Sequence, residues 1–304
     1  MARIRFFGDA CQEAPGEGTY PAIMDKTTTW LITGVGSGFG EAIAAAALAR
    51  GEKVCGTVRS DEARDRFEAV APGRAIGLLL DVTDAAAIPP VVAEAERALG
   101  RIDRLVNNAG HGLTGAIEET SLTQAKALFD VNLFGAIAMI QAVLPGMRGR
   151  GAGHIVNITS VSGLAPWAGT GLYGATKYAL ECIGQTLAQE IAPFGIRVTN
   201  VAPGGFRTAF ASPSLVAADT PIAGYDGTPA HDAHRILSAD SGRQKGDPAR
   251  AAAAILAALD SEDPPLHLLL GEDALHYAEG AVEALAGDID RWRALSLSTA
   301  FVEP

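Results

Sequence analysis

The octapeptide TGVGSGFG, residues 33–40, constrains the fold more than any other stretch of the chain. It joins an apolar run, TTWLITG (28–34), to a segment of helical period, FGEAIAAAALARG (39–51). A strand that turns through glycines directly into a helix is one half of a βαβ unit, and sheets made of such units are parallel. Gly34, Gly38 and Gly40 let the backbone turn tightly and approach a pyrophosphate. The free N–H groups and positive dipole end of the following helix then meet the phosphates. An ordinary glycine-rich turn has the same composition. The placement after an apolar strand and before an alanine-rich helix favours dinucleotide binding, with Ser37 and Phe39 in the same turn.

The alternation continues to the end of the chain. KVCGTVR (53–59), AIGLLLDVT (75–83), RLVNNAG (104–110), GHIVNITS (153–160), IRVTNVAPGG (196–205) and LHLLLG (266–271) read as further strands. Helical periods fall at 91–100, just after Pro89 and Pro90, and then at 122–147, 172–193 and 273–293. Another helix restarts at GDPARAAAAILAAL, with Asp247 as N-cap and Pro248 at its first position. The expected fold is α/β: a Rossmann-like, doubly wound parallel sheet of about seven strands with helices on both faces. No linker or repeat divides residues 27–304, so a single domain is expected. Residues 206–245, rich in Pro, Gly, Ser and Asp, are expected to form a substrate lid. Residues 1–26 have no clear period and read as a disordered extension, with Met24 an alternative start.

Composition removes several function classes. Net charge is −11 and no basic stripe occurs, which argues against a nucleic-acid partner. No uninterrupted apolar run reaches membrane-span length, so no membrane partner is expected. Cys11, Cys55 and Cys182 lack metal spacing and fit a reducing, cytoplasmic setting. The N-terminal segment has no apolar core of a secretory signal.

The second strand bears on the choice of dinucleotide. An acid at its end would accept the ribose hydroxyls and repel a 2′-phosphate. Val58 stands there instead, and Arg59 follows, with Ser60 as a further donor. A guanidinium beside the ribose suits a phosphate, so NADP is expected over NAD. Asp61 and Glu62 lie nearby and weigh against this reading, and Arg59 also reads as a plain surface residue.

Ser160 ends the fifth strand, Tyr173 lies thirteen residues on, and Lys177 is one helical turn beyond it. An ammonium near a phenol favours phenolate, and an oxidised nicotinamide pushes the same way. A phenol so tuned takes a proton from an alcohol or returns one to a ketone. Ser160 can hold the substrate oxygen.

These pieces together resemble the short-chain dehydrogenases/reductases. The matching stretches are TGVGSGFG, LDVTD (80–84), NNAG (107–110), VNLFG (131–135), NITSVSG (157–163), YGATK (173–177) and APGGFRT (202–208). The resemblance implies catalytic roles for Asn132, Ser160, Tyr173 and Lys177. Asn132 would sit at a break in its helix and anchor a water in a proton relay, and Lys177 would also bind the nicotinamide ribose. Asp81 and Val82 would contact adenine, and Asn108 and Gly110 would line the cofactor floor. Pro203, Gly204 and Thr208 would receive the carboxamide end. Thr159 and Thr176 replace more usual serines and are not expected to touch the chemistry.

Within the family the chain is similar to bacterial proteins described as 17-beta-hydroxysteroid or retinol dehydrogenase-like. That implies an NADP(H)-linked interconversion of a secondary alcohol and a ketone, with an apolar small-molecule substrate. The alternatives are reduction of a 3-oxoacyl thioester, or a non-catalytic NADP sensor. A homodimer or homotetramer through the helices at 122–147 and 172–193 is implied as well. His111, Leu113, Val161, Leu164, Trp167, Phe206 and Phe210 are pocket candidates. His231 and His234 read as exposed, His154 and His267 as strand starts without a role, and no metal is expected.

Overall fold

The computed structural model describes residues 27–301, save 209 and 211–214. The expected extension at 1–26, with Met24, lies outside the described residues. Seven strands form one sheet: β1 (Thr29–Ile32), β2 (Lys53–Val58), β3 (Ala75–Leu79), β4 (Arg104–Asn107), β6 (Gly153–Ile158), β7 (Ile196–Pro203) and β9 (His267–Leu270). Their order is β3-β2-β1-β4-β6-β7-β9, and every pair is parallel. The winding reverses between β1 and β4, the place where a doubly wound sheet opens a crevice at its carboxyl edge. Two short strands form a separate parallel pair, β5 (Gly112–Thr114) with β8 (Leu215–Ala217).

Alternate strand residues point to opposite faces, so each strand feeds two cores. Trp30 and Ile32 pack with Ile43, Leu48, Ile255 and Leu259 on one side. These come from α1 (Gly38–Ala49) and α8 (Pro248–Leu259). Leu31 packs on the other side with Val92, Met139, Val143 and Leu187. These belong to α3 (Ile88–Leu99), α5 (Gly135–Arg150) and α6 (Gly171–Ile191). Pro89 and Pro90 sit in the first turn of α3, where the missing N–H groups cost nothing. Asp247 caps α8 by accepting from Ala249 N at 2.8 Å, as the sequence predicts.

Three features depart from the sequence reading. A further helix, α2 (Asp61–Val70), follows β2, and Ser60 caps it. The expected single helix at 122–147 is α4 (Leu122–Phe129), a π-helical turn (Asp130–Phe134) and then α5. This 29-residue run, Leu122–Arg150, is long and apolar enough to cross a bilayer, contrary to the absence of such a run read from the sequence. Scattered polar residues hide its overall apolarity, and 44% of its most apolar window is buried against the rest of the protein. The segment read as a lid carries β8 and α7 (Pro229–Ala239), and α7 leads towards α8. The last helix, α9, runs Glu272–Leu297, one turn longer than its sequence pattern suggests.

Candidate active site

A cleft of about 2420 Å³ opens at the carboxyl edge of the sheet. Every residue expected to bind cofactor or act in catalysis lines it, save Gly40 and Asn132, which lie just behind its wall. The glycine turn forms its floor. Gly34 and Gly38 have φ of 73° and 65°, a region that L side chains rarely adopt. A Cβ on Gly40 would collide with Gly34 O and the Asn108 amide, so helix and turn can approach only with glycine there. The first N–H groups of α1 follow Ser37, whose side chain makes no capping bond to them. Asn108 ties β4 to this turn, donating through Nδ2 to Thr33 O (2.8 Å) and Gly34 O (3.0 Å). Its place is therefore structural as well as facing the cleft. Phe39 packs edge-on against Phe206, and Thr208 lies over Gly38, closing the turn from above.

At the end of β2, Arg59 is exposed and makes no salt bridge among the described residues. The nearby acid does not compete for it: Asp61 pairs with Arg64 at 2.8 Å. The Ser60 hydroxyl accepts from Ala63 N, which leaves its own proton available. Asp81 Oδ1 accepts from Thr83 N (2.9 Å) and Thr83 Oγ (2.8 Å). Those two bonds, the main-chain one first, hold the carboxyl below its ordinary value. Val82 is mostly core, packed against Gly135.

The opposite wall carries the chemistry. The extended residue Ser160 follows β6, and its Oγ accepts from Ser162 N at 3.1 Å. Tyr173 and Lys177 share one face of α6 and are both buried. Lys177 Nζ donates to Ile158 O at 2.8 Å and lies 5.9 Å from the Tyr173 ring centre. Burial pushes the Tyr173 phenol up to about 12, with the Ser160 hydroxyl pulling the other way. Burial also brings Lys177 down to about 8, opposed by the Glu181 carboxylate. The expected lowering of Tyr173 by Lys177 is thus not a property of the protein alone. The ammonium uses one of its three N–H donors on Ile158 O, and desolvation of the phenol dominates.

Asn132 lies in the π turn, a known signature of functional bulges. Its Oδ1 accepts from His111 N (3.0 Å), and its Nδ2 donates to His111 O (3.0 Å) and Thr176 Oγ (3.2 Å). Both Nδ2 protons are committed to protein partners, while Oδ1 accepts one bond and keeps a second lone pair. It fixes the loop after β4, where Gly110 sits between Asn132 and Lys177.

The two threonines set aside in the sequence do reach this machinery. Thr176 holds Asn132, and its hydroxyl donates to Tyr173 O at 2.7 Å. Thr159 turns inward, its Oγ 2.6 Å from Glu181 Oε1 and 2.8 Å from Val201 O. Ser160 is therefore the hydroxyl left facing the cleft. Glu181, one turn after Lys177, is a site residue the sequence reading missed. It is buried, and its Oε2 accepts from Asn200 Nδ2 at 2.8 Å. The same oxygen lies 3.3 Å from His267 Nδ1, so His267 has a partner the sequence did not suggest. An amide ladder continues sideways, Asn200 to Asn157 to Asn107, across β7, β6 and β4. His154 is buried beside Thr199 and pushed down to about 3 by desolvation, a neutral core residue.

The far end of the cleft is apolar. All seven sequence candidates line the cleft, Phe206 beside the glycine turn, and Phe210 packs on Tyr173 with ring centres 5.3 Å apart. Leu215, Val216, Ile236 and Leu237 join them from β8 and α7. The segment is latched through Glu119, which is buried. Its carboxylate accepts from Ala116 N (2.8 Å) and Ile222 N (2.7 Å) and lies 2.6 Å from His231 Nε2. His231 is thus half-buried rather than exposed, while His234 is exposed and sits 2.8 Å from Thr114 Oγ. No cluster able to hold a metal occurs among the described residues. Gly204 and Gly205, after β7, are held by Asp273 at the start of α9, whose Oδ2 accepts from Gly205 N at 2.6 Å.

The geometry agrees with what known proteins show. The family described as short chain dehydrogenase matches residues 28–216. The chain belongs to the short-chain dehydrogenase/reductase family. A short-chain dehydrogenase of Streptomyces avermitilis is 42% identical, with a TM-score of 0.85, over 91% of this chain and 100% of that one. Oxidoreductase BOA17 of Botryotinia fuckeliana is 36% identical over 90% of this chain and 100% of its own length. Human retinol dehydrogenase 8 is 38% identical over 68% of this chain and 67% of its own. A family structure from Burkholderia phymatum was solved with NAD (25% identical, TM-score 0.70, covering 91% and 97%). A serine dehydrogenase was solved with NADP+ (28% identical, TM-score 0.68, covering 80% and 94%). This family member is an oxidoreductase that uses a nicotinamide dinucleotide with CH–OH donors, and the glycine turn fits that group.

Proposed function

We propose that the protein is an NADP(H)-dependent oxidoreductase that interconverts an apolar secondary alcohol and its ketone, with Tyr173 as acid and base. One observation carries this reading: Ser160, Tyr173 and Lys177 share the wall that faces the glycine turn, and the remaining space beside Tyr173 is apolar. The bound nicotinamide supplies hydride exchange and, when oxidised, a positive charge beside the phenol. Tyr173 takes the hydroxyl proton as the carbinol carbon loses hydride, and returns it in the reverse direction. Ser160 orients the substrate oxygen. Lys177, fixed on Ile158 O, keeps a cation near the phenol. Arg59, which makes no salt bridge among the described residues, and the Ser60 hydroxyl beside it at the end of β2 support NADP over NAD.

Reduction of a 3-oxoacyl thioester on a carrier needs basic residues at the entrance. Arg207 donates to Gln244 O, Arg235 pairs with Asp232 and Lys245 with Glu272, which leaves only Arg243 of the four cations in this segment. That weighs against the thioester reading. The sensor reading is disfavoured by the complete set of Ser160, Tyr173 and Lys177. The test is NADPH consumption against ketones, quinones, aldehydes, steroids and 3-oxoacyl thioesters, with NADH in parallel. Turnover of apolar ketones with NADPH preferred is expected. Tight NADPH binding with no turnover across the panel would overturn the reading in favour of a sensor.

A further inference from the structure

We propose that Gln244 is a cofactor-binding residue, and that its side-chain oxygen accepts a hydrogen bond from the carboxamide of the nicotinamide. The proposal rests on the dinucleotide site described above and adds a contact from outside the seven stretches that carry the family resemblance. Gln244 lies between α7 and α8 and lines the cleft. Its main chain is fixed beside the residues that follow β7. Arg207 Nε donates to Gln244 O at 2.6 Å. Gly246 N donates to Gly205 O (3.1 Å) and Arg207 N to Gly246 O (3.0 Å), a parallel bridge between Phe206 and Gly246. The Gln244 side chain reaches over Gly205, where an added Cβ would meet its Cγ at 3.6 Å. Its Oε1 is buried and has no hydrogen-bond partner among the described residues. Arg104 Nη1 and Asn107 Oδ1 share that state, but neither residue lines the cleft. A buried acceptor left unpaired costs stability, and one placed in a binding cleft is explained by a ligand that pairs it.

The sheet order says which part of the dinucleotide arrives there. Arg59, the expected contact of the adenosine ribose, follows β2, and Gly205 follows β7, four strands away. Neighbouring strands lie about 4.8 Å apart, so about 19 Å separates the two places, too far for one end of the cofactor to serve both. β6, which leads to Ser160, is the neighbour of β7, and Thr159 N donates to Val201 O at 2.8 Å. Gln244 is therefore at the reactive end, beside the wall that carries Ser160, Tyr173 and Lys177. The side-chain groups around Gly205 are acceptors. Asp273 Oδ2 accepts from Gly205 N at 2.6 Å, and the same carboxylate lies against Gly204. A second acceptor at Gln244 suits a ligand N–H and disfavours a phosphate or a carbonyl oxygen. An apolar substrate has no N–H to offer, and its reacting oxygen belongs with Ser160 and Tyr173. The carboxamide carries two N–H donors in one plane, the complement of an amide oxygen. Held there, it fixes the rotation of the ring about its glycosidic bond, and so which face of the ring meets the substrate carbon.

The test is calorimetric titration of wild type and of Gln244→Leu with three ligands. The first is NADPH or NADH, whichever wild type binds more tightly. The second is its analogue with a 3-acetyl group in place of the carboxamide, which has no N–H to donate. The third is the matching ADP-ribose compound, with or without the 2′-phosphate, which lacks nicotinamide. Gln244→Leu should weaken the dinucleotide about fivefold, the effect of one hydrogen bond, and leave the ADP-ribose compound within about twofold. The 3-acetyl analogue should bind both proteins alike, about fivefold more weakly than wild type binds the dinucleotide. Leucine removes an unpaired buried oxygen, so the thermal midpoint without cofactor should hold or rise. Equal weakening of all three ligands with a lowered midpoint would make Gln244 a packing residue and overturn the proposal. Unchanged affinity for the dinucleotide would assign Oε1 to a bound water and overturn it too. Equal weakening of dinucleotide and 3-acetyl analogue, with the ADP-ribose compound unchanged, would move the contact to the nicotinamide ribose and overturn the carboxamide assignment. A wild type that binds neither NADPH nor NADH would instead overturn the dinucleotide site on which the proposal rests.

Discussion

The two walls of the cleft are built differently. The cofactor wall is made of main chain at fixed turns: Gly34 and Gly38 at positive φ, Gly40 against Gly34 O, and Asn108 tying them to β4. The substrate side is made of side chains from β5, β8 and α7, joined to the body by a few polar contacts centred on Glu119. The first wall tolerates almost no variation in shape. The second can change its lining without disturbing the sheet. One fold can thereby keep a common cofactor and vary its substrate.

Substitutions on the two sides should therefore behave differently. Among changes that leave the acid/base residue in place, the largest effect is expected at the cofactor wall. Arg59→Asp should remove a charge-assisted bond and add repulsion, moving the NADPH/NADH ratio of kcat/KM by about 10- to 100-fold toward NADH. An unchanged ratio would remove Arg59 from the phosphate site.

Next is Glu181→Gln, which keeps the shape but not the charge. The Glu181 carboxylate raises Lys177 against the burial that brings it to about 8. Without that charge Lys177 should lose its proton at lower pH. The alkaline limb of kcat/KM should then move to lower pH, with a loss of about tenfold for each unit moved. A pH profile that superimposes on wild type would show that Glu181 acts only in packing.

The smallest effect is expected on the substrate side, at His231→Phe. Glu119 raises the His231 pKa, and the Ile222 N–H, then His231 and the Ala116 N–H, hold Glu119 at about 2. The raised histidine contributes fully below its unfolded value and loses that contribution as pH rises through its folded value. The depressed carboxylate contributes above its unfolded value and loses it as pH falls towards 2. Between those limits wild type should protect residues 220–239 from hydrogen exchange, and protection should fall as pH rises past neutrality. The variant should exchange a few-fold faster at pH 6 and lose that pH dependence. Equal pH dependence in both proteins would mean that the latch does not hold this segment.

The same contrast explains what could be read from the sequence. The succession of strands and helices along the chain and the pairing of Tyr173 with Lys177 follow from local periodicity, and the glycine turn from its own spacing. Glu181 did not stand out, because its partners come from β6, β7 and β9, each a separate stretch of chain. The three-residue strands β5 and β8 pair across a hundred residues and carry no period of their own. The π turn around Asn132 is a slip in hydrogen bonding that leaves no residue pattern; only the resemblance to the family suggested a break there. Spacing shows which charges are near the Tyr173 phenol but not how deeply it is buried, so the burial that pushes it up in the protein alone leaves no mark in the sequence. The exposure of α9 could not be read either, since its apolar residues keep the same spacing whether or not they cover the chain's own core.

The most direct measurement is turnover by Tyr173→Phe, alongside a titration of NADPH binding. Removing only the phenolic oxygen should lower kcat by about 10²-fold or more while the affinity for NADPH changes little. More than about a tenth of wild-type turnover would contradict a proton-transfer role at this position.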